Sequence, residues 1–182
     1  MMLILVTGGS RSGKSGYALE RAGRSEGPRL FVATAQALDE EMARRIEAHK
    51  KARAPGWRLV EEPLNVPEAV TEALTKCRTV VVDCVTLWIS NLLLRKEEFG
   101  ETEAARCAAE LAAAAAVPGS TVIVVTNEVG SGVVPDNELA RRFRDCAGRA
   151  NQVIGGAADE VQFLVSGIAV QVKPARGEGV NG

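Results

Sequence analysis

The fold of this chain is decided by the apolar run Leu3-Ile4-Leu5-Val6 and the glycine-rich turn Gly8-Gly9-Ser10-Arg11-Ser12-Gly13-Lys14-Ser15 that follows it. The turn has the spacing G-x-x-x-x-G-K-S, which directly after a strand is typical of a phosphate-binding P-loop. Its glycines let backbone N–H groups converge on a phosphate, and the next helix adds a partial positive charge at its N-terminus. Lys14 can reach the outer phosphates, and the Ser15 hydroxyl can bind Mg²⁺. The stretch therefore predicts a nucleoside triphosphate site, the alternative being a chance glycine turn.

Length and composition limit the classes of protein to which the chain can belong. The 182 residues suggest one domain, which we expect over residues 1–173, followed by a disordered tail at 174–182. The net charge of −1 gives no support for a nucleic-acid partner. No apolar run approaches the ~20 residues of a membrane span, and no secretory leader is visible, so we expect a cytoplasmic protein. The cysteines are scattered without a C-x-x-C pair and are expected to be buried thiols.

Apolar strands alternate with helical segments along the chain. Further strands are predicted at Arg29–Thr34, Trp57–Val60, Thr79–Asp83, Thr121–Thr126, Val161–Val165 and Ile168–Lys173. Helices are predicted from about Lys14 to Arg24, at Gln36–Arg53, Val66–Lys76, Leu87–Arg95 and Glu103–Val117, and from Asp136 to about Ala150 or beyond. This pattern indicates an α/β fold of the P-loop NTPase (RecA-like) type, with a mostly parallel sheet and helices on both faces. The last two strands flank Ser166-Gly167 and predict an antiparallel hairpin at the sheet edge.

Several polar residues are expected at one edge of this sheet. Ligands of open parallel sheets bind at the carboxyl ends of the strands, where Gly8, Thr34, Asp83 and Asn127-Glu128 are predicted to lie. Asp83 ends an apolar strand downstream of the P-loop and resembles a Walker B acid, whose carboxylate holds Mg²⁺ directly or through water. An ordinary polar strand end is the alternative interpretation.

His49 is the single histidine of the chain and lies late in a basic helical segment. One interpretation is packing or capping near the helix end, where a cation is favoured. The other is nucleophilic catalysis, in which a neutral imidazole attacks phosphorus to form a phosphoramidate. Lys50, Lys51 and Arg53 suit nearby phosphate oxygens and would lower the imidazole pKa, but they could equally form a solvated helix face. These residues alone leave both interpretations open.

The chain as a whole resembles one enzyme family, the bifunctional adenosylcobinamide kinase / adenosylcobinamide-phosphate guanylyltransferases of cobalamin synthesis. The resemblance extends over nearly the whole chain up to Lys173. It is carried by the P-loop and by Val32–Ala35, Asp39–Met42, Arg45–Arg53 with Trp57, Val82–Trp88, Asn91–Leu93, Thr126–Pro135, Arg142–Gln152 and Val165–Gly167. The Thr126–Pro135 run and the histidine segment are the specific signals, because a P-loop alone occurs in many families.

The resemblance implies two reactions. Adenosylcobinamide is first phosphorylated with ATP or GTP, and GMP is then transferred from GTP to that phosphate through a guanylylated histidine, which corresponds to His49. The implied catalytic residues are His49 and Lys14, and Ser15 and Asp83 are the implied Mg²⁺ ligands. The implied nucleotide contacts are Gly8, Gly9, Ser10, Arg11, Ser12, Gly13, Lys14, Ser15, Ala33, Thr34, Ala35, Lys50, Lys51, Ala52, Arg53, Glu61 and Asp83. Members of the family assemble as homotrimers with the active site near a subunit interface.

Two departures from the family pattern bear on the site. The proline after the histidine segment is displaced by one position, to Arg53-Ala54-Pro55, and Asp83 stands where some members have the longer glutamate. Two other functions also fit a P-loop, namely a monofunctional kinase of another small alcohol and a non-enzymatic GTP-binding switch. Trp57, Trp88 and Phe99 are candidates for contact with a corrin ring, with core packing as the simpler interpretation.

Overall fold

The structure is a computed structural model that describes residues 1–37, 40, 44, 47 and 56–175. Its strands are β1 (Met2–Gly8), β2 (Arg29–Ala33), β3 (Trp57–Glu61), β4 (Thr79–Asp83), β5 (Thr121–Val125), β6 (Glu160–Val165) and β7 (Ile168–Lys173). Its helices are α1 (Lys14–Gly23), α2 (Val66–Lys76), α3 (Val85–Arg95), α4 (Glu101–Ala114) and α5 (Glu138–Ala157). Strands and helices alternate along most of the described chain, except that α3 and α4 follow each other without an intervening strand.

The strands form one seven-stranded sheet in the order β3-β2-β4-β5-β1-β6-β7. All neighbouring pairs are parallel except β6 and β7, which form the antiparallel edge hairpin. The predicted α/β fold is thereby confirmed. Strand β5 lies between β1, which leads into the P-loop, and β4, which ends at Asp83. Since neighbouring strands are about 4.8 Å apart, the ends of β1 and β4 are roughly 10 Å from each other.

Successive residues of the central strands pack alternately into two hydrophobic cores. Leu3 and Leu5 face the larger one, which is covered by α2, α3, α4 and α5. Ile4 and Val6 face the smaller one, where Ala18 and Ala22 of α1 pack on the sheet. Helices therefore cover both faces of the sheet. Because both faces of the central strands are covered, these strands are apolar throughout instead of alternating between apolar and polar residues.

Helix α4 packs closely against its neighbours α2 and α5. Ala104 and Ala108 are fully buried along it, which lets the helix axes approach. Its start at Glu101, two residues earlier than predicted, is explained by Glu103, whose carboxylate accepts from the Gly100 N–H at 3.1 Å. Helix α3 also begins two residues earlier than predicted, at Val85.

Two of the three candidate aromatic residues, Trp88 and Phe99, belong to the core. Trp88 and Phe99 are 1% and 2% exposed, so core packing is confirmed for both. Trp57 is half-buried and meets Phe31 edge-on, with the ring centroids 6.3 Å apart. The four cysteines are free and buried, as expected.

The β6–β7 hairpin turns at Ser166 and Gly167, which have φ of 50° and 85°. Two successive positive φ values are typical of the tight turn that matches the twist of a hairpin. At the other end of the hairpin, the Lys173 ammonium donates to the carbonyl oxygens of Gly155, Gly156 and Ala158. This lysine caps the C-terminus of α5 and ties the edge strand to it.

Two predicted segments lie partly outside the described residues. Most of the predicted helix Gln36–Arg53 lies outside the described residues, although Glu40, Arg44 and Glu47 are helical. The predicted tail is described only at Pro174 and Ala175, which have no regular secondary structure. Within the described ranges, no helix is long and apolar enough to cross a membrane.

Candidate functional site

The P-loop is shaped by close contact with the β6–β7 hairpin. Gly8 has φ of 148°, and a Cβ on it would clash with the Leu164 carbonyl oxygen and lie 2.9 Å from Ser12 Oγ. The Gly167 N–H donates to the Ser12 carbonyl oxygen at 3.0 Å. This hydrogen bond satisfies the Ser12 carbonyl oxygen and ties the loop to the hairpin turn.

Lys14 is the first residue of α1 and only 6% exposed. Its ammonium donates to the Gly9 carbonyl oxygen at 2.5 Å and to Ser12 Oγ at 3.4 Å. Burial lowers the pKa of Lys14, and the nearby Cys84 and Asp83 partly offset that effect. The lysine therefore lies within electrostatic reach of the end of β4, although β5 separates the two strands.

Thr34 fixes the corner that follows Asp83. Its hydroxyl accepts from the Cys84 N–H and donates to the Cys84 carbonyl oxygen, each at 2.8 Å. The Thr34 N–H donates to the Asp83 carbonyl oxygen at 3.1 Å, and the Asp83–Cys84 peptide bond is cis. The Thr34 side chain is fully buried, and its hydroxyl makes both of these hydrogen bonds to the Cys84 backbone.

The sheet register places three of the predicted nucleotide-contacting residues side by side on neighbouring strands. Ala33 pairs with Glu61 on one side and with Asp83 on the other. Glu61 is exposed, whereas Ala33 and Asp83 are half-buried. The register thus puts Glu61, Ala33 and Asp83 in a row at the carboxyl ends of β3, β2 and β4.

The end of β5 is joined directly to the P-loop. The Glu128 N–H donates to the Gly8 carbonyl oxygen at 3.0 Å. The Asn127 side-chain amide donates to the Thr86 hydroxyl at 2.9 Å, in the first turn of α3. This confirms that Gly8, Asp83 and Asn127-Glu128 lie at or just beyond strand ends at one edge of the sheet.

Several polar residues of this edge were not predicted. Asn91 donates to the carbonyl oxygens of Thr34 and Pro63 at 2.8 and 3.0 Å. Asn151, from α5, contacts both Thr126 and Asn127. Both residues lie in stretches that carry the family resemblance, Asn91–Leu93 and Arg142–Gln152. A polar residue on an otherwise apolar helix face does not, however, indicate which group it will contact.

The structure brings the predicted residues Gly8–Ser15, Ala33–Ala35, Glu61 and Asp83 to the carboxyl edge of the sheet. The remaining predicted site residues lie outside the described residues; they are His49, Lys50, Lys51, Ala52 and Arg53. In the described part of the chain, no group of three or more His, Cys, Asp or Glu residues is close enough to hold a metal ion.

The whole chain can be compared with known proteins. A family model described as "Cobinamide kinase / cobinamide phosphate guanyltransferase" matches residues 4–172. The chain belongs to this family. Its members combine a kinase and a guanylyltransferase in one protein, and this chain is a bifunctional enzyme of that kind.

Relatives from three bacteria agree with this assignment. The chain is 42% identical over 183 residues to the "Bifunctional adenosylcobalamin biosynthesis protein CobU" of Escherichia coli, covering 94% of this chain and 100% of that protein. The protein of the same name from Salmonella typhimurium is 43% identical, with the same coverage. The "Bifunctional adenosylcobalamin biosynthesis protein CobP" of Pseudomonas aeruginosa is 42% identical over 173 residues, covering 93% of this chain and 96% of that protein.

Proposed function

We propose that this enzyme phosphorylates adenosylcobinamide and then guanylylates the product, using one nucleotide region for both reactions. The observation that supports the shared region is that the P-loop, Asp83 and the Glu128 backbone lie at the same carboxyl edge of the sheet. In the first reaction the substrate hydroxyl oxygen attacks the γ-phosphorus of ATP or GTP. The bond from that phosphorus to the β-phosphate oxygen breaks, the nucleoside diphosphate leaves, and the hydroxyl proton is lost.

The P-loop supplies the electrostatics of this kinase step. The backbone N–H groups of Gly8–Ser15 and the α1 N-terminus face the phosphates, and Lys14 exchanges its contact with the Gly9 carbonyl for the outer phosphate oxygens. The Ser15 hydroxyl and the Asp83 carboxylate are hard oxygen donors that suit Mg²⁺. Mg²⁺ held there would neutralise charge on the phosphate oxygens during transfer.

His49 is proposed as the nucleophile of the second reaction. Its imidazole nitrogen attacks the α-phosphorus of GTP, pyrophosphate leaves, and GMP stays bound through a P–N bond. A phosphate oxygen of adenosylcobinamide phosphate then attacks the same phosphorus, which releases His49 and yields adenosylcobinamide-GDP. Lys50, Lys51 and Arg53 suit the phosphate oxygens in this step, and Ala52 completes the proposed contact segment.

Labelling with α-³²P GTP tests the covalent step. The wild-type protein should acquire an acid-labile, base-stable label that adenosylcobinamide phosphate removes, because a phosphoramidate hydrolyses in acid. His49→Asn should stay unlabelled and still form adenosylcobinamide phosphate. An equal label on His49→Asn would contradict the assigned nucleophile. A wild type that makes the phosphate without label would instead favour a monofunctional kinase.

The proposal extends to assembly and location. The resemblance to the family implies a homotrimer, and strand β7 exposes Ile168, Val170 and Val172 as apolar surface that association could cover. The cytoplasm, which supplies ATP and GTP, is the proposed compartment. Light scattering coupled to size exclusion measures the mass directly, and a mass of one chain would contradict the trimer.

A further inference from the structure

Asn151 occupies an unusual position on the inner face of α5. The buried residues of that helix are Cys146, Ala147, Ala150 and Ile154, all small or apolar. Asn151 follows Ala147 by four residues and precedes Ile154 by three, so it lies on the same face of the helix. A primary amide at such a position costs free energy unless its donors and acceptor are used. It therefore calls for a polar partner on the sheet.

That partner is the end of β5. The Thr126 hydroxyl donates to Asn151 Oδ1 at 2.7 Å, and Asn151 Nδ2 donates to the Asn127 carbonyl oxygen at 3.1 Å. The amide thus holds two successive residues, one by its side chain and one by its backbone. Thr126 is fully buried and Asn151 is half-buried, so the Thr126 end of this contact is shielded from competing water.

The segment held by Asn151 is the one that reaches the P-loop. The Glu128 N–H, one residue further on, donates to the Gly8 carbonyl oxygen at 3.0 Å. Gly8 is the first residue of the loop, and no side chain can be added to it without a clash. A shift of the Asn127-Glu128 backbone would therefore move the point at which the P-loop leaves β1.

The same segment is also tied to the Asp83 corner. Asn127 Nδ2 donates to the Thr86 hydroxyl at 2.9 Å, and that hydroxyl lies 3.2 Å from Cys84 Sγ. The Cys84 peptide is in turn held by Thr34. A continuous set of hydrogen bonds thus runs from α5 to the strand ends that carry the P-loop and Asp83.

We propose that Asn151 is a positioning residue for phosphoryl transfer, which acts through Asn127 to set the P-loop and the Asp83 corner relative to each other. It does not contact the nucleotide. Its role is to fix the spacing of two groups that come from strands separated by β5. This inference rests on the kinase activity of the family, and it adds a residue outside the nucleotide-contacting set.

The first test compares Asn151→Ala with a matched control. Asn137 immediately precedes the same helix, and its side chain caps the N-terminus by accepting from the Ala140 N–H at 2.7 Å. Asn137→Ala should lower the unfolding temperature and leave kinase kcat within about twofold of wild type. Asn151→Ala should lower kcat about ten- to hundred-fold with little change in KM for the nucleotide, because misplacement of reacting groups slows the step more than it weakens binding.

Asn151→Asp should recover kcat at low pH, which would not happen if Asn151 had only a packing role. Its carboxylate can accept from Thr126 but cannot donate to the Asn127 carbonyl, whereas the protonated acid can do both. The ratio of its kcat to wild-type kcat should therefore rise as the pH falls toward the carboxyl pKa, and the ratio for Asn151→Ala should stay flat. Both hydrogen-bond partners, Thr126 and Asn127, are uncharged, so they do not titrate with it.

Three results would overturn the proposal. They are a folded Asn151→Ala with kcat within twofold of wild type, an equal loss in Asn137→Ala, and an Asn151→Asp ratio that does not depend on pH. A wild-type protein that fails to phosphorylate adenosylcobinamide would contradict the assigned reaction instead. Wild-type turnover measured in the same assay separates these two failures.

Discussion

Lys14 is an ionisable residue that is almost fully buried. Its pKa is lowered from 10.5 because desolvation disfavours the ammonium, and Cys84 and Asp83 only partly offset this. Between the lowered pKa and 10.5, the folded protein therefore binds fewer protons than the unfolded chain. The free energy of unfolding of the wild type, relative to Lys14→Met, should rise with pH across this interval.

Urea denaturation of both proteins at several pH values from about 7 to 10.5 measures this difference. Subtracting the Lys14→Met curve removes the titration of groups common to both proteins. Lys76→Met is the matched control, since Lys76 is exposed and pairs with Glu72 on α2. A Lys14 difference that falls as the pH rises would contradict the assigned burial.

The residues of the site differ in how far sequence predicts them. Gly8, Gly13 and Lys14 are set by a local pattern, because a phosphate loop needs its glycines and its lysine within eight residues. Asn151 contacts Thr126 from 25 positions away. No local pattern encodes that contact, since it exists only after α5 has packed on the sheet.

At the level of elements, the P-loop depends on a backbone fit between β1 and β6. Gly8→Ala places a methyl group against the Leu164 carbonyl oxygen and at an unfavourable φ of 148°. We expect a loss of about 2–5 kcal/mol in the free energy of unfolding. Gly148→Ala is the control, because that glycine is in α5 with open space around its Cβ position. It should stabilise the protein by about 0.5–1 kcal/mol.

Denaturant midpoints of the two alanine variants separate a general effect of glycine replacement from the specific contact. Equal changes in both would contradict the proposed fit. A Gly8→Ala protein as stable as wild type would show that β6 can move away from the loop. The kinase activity of Gly148→Ala should be unchanged, since this side chain contacts neither Asn127 nor the P-loop.

The elements themselves were largely predictable, whereas their order in the sheet was not. Continuous apolar runs predict β1, β4 and β5 because both faces of a parallel sheet are covered. Placement of β5 between β1 and β4 depends on contacts distant in sequence, and it decides that Asp83 is not beside the P-loop strand. The starts of α3 and α4 were missed by two residues each, since helix ends depend on capping contacts such as Glu103 to Gly100.

For the whole molecule, triphosphate binding and folding are linked. A ligand that binds only the folded protein raises its free energy of unfolding by RT ln(1 + [L]/Kd), about 2.7 kcal/mol at a concentration of one hundred times Kd. GTP with Mg²⁺ should therefore stabilise the wild type by about this amount. His49→Asn should gain nearly as much, because the P-loop and Lys14 remain. Lys14→Met should gain far less at the same GTP concentration, since it lacks the cation that meets the outer phosphates.

Thermal unfolding of the three proteins, with and without GTP, measures these gains. The experiment assigns binding and chemistry to different parts of the molecule. The P-loop edge should provide most of the binding free energy, and His49 should direct the second reaction to the α-phosphorus. An equal gain in stability for Lys14→Met would contradict the role of the P-loop lysine in triphosphate binding. A large loss for His49→Asn would mean that the histidine contributes to ground-state affinity as well as to transfer.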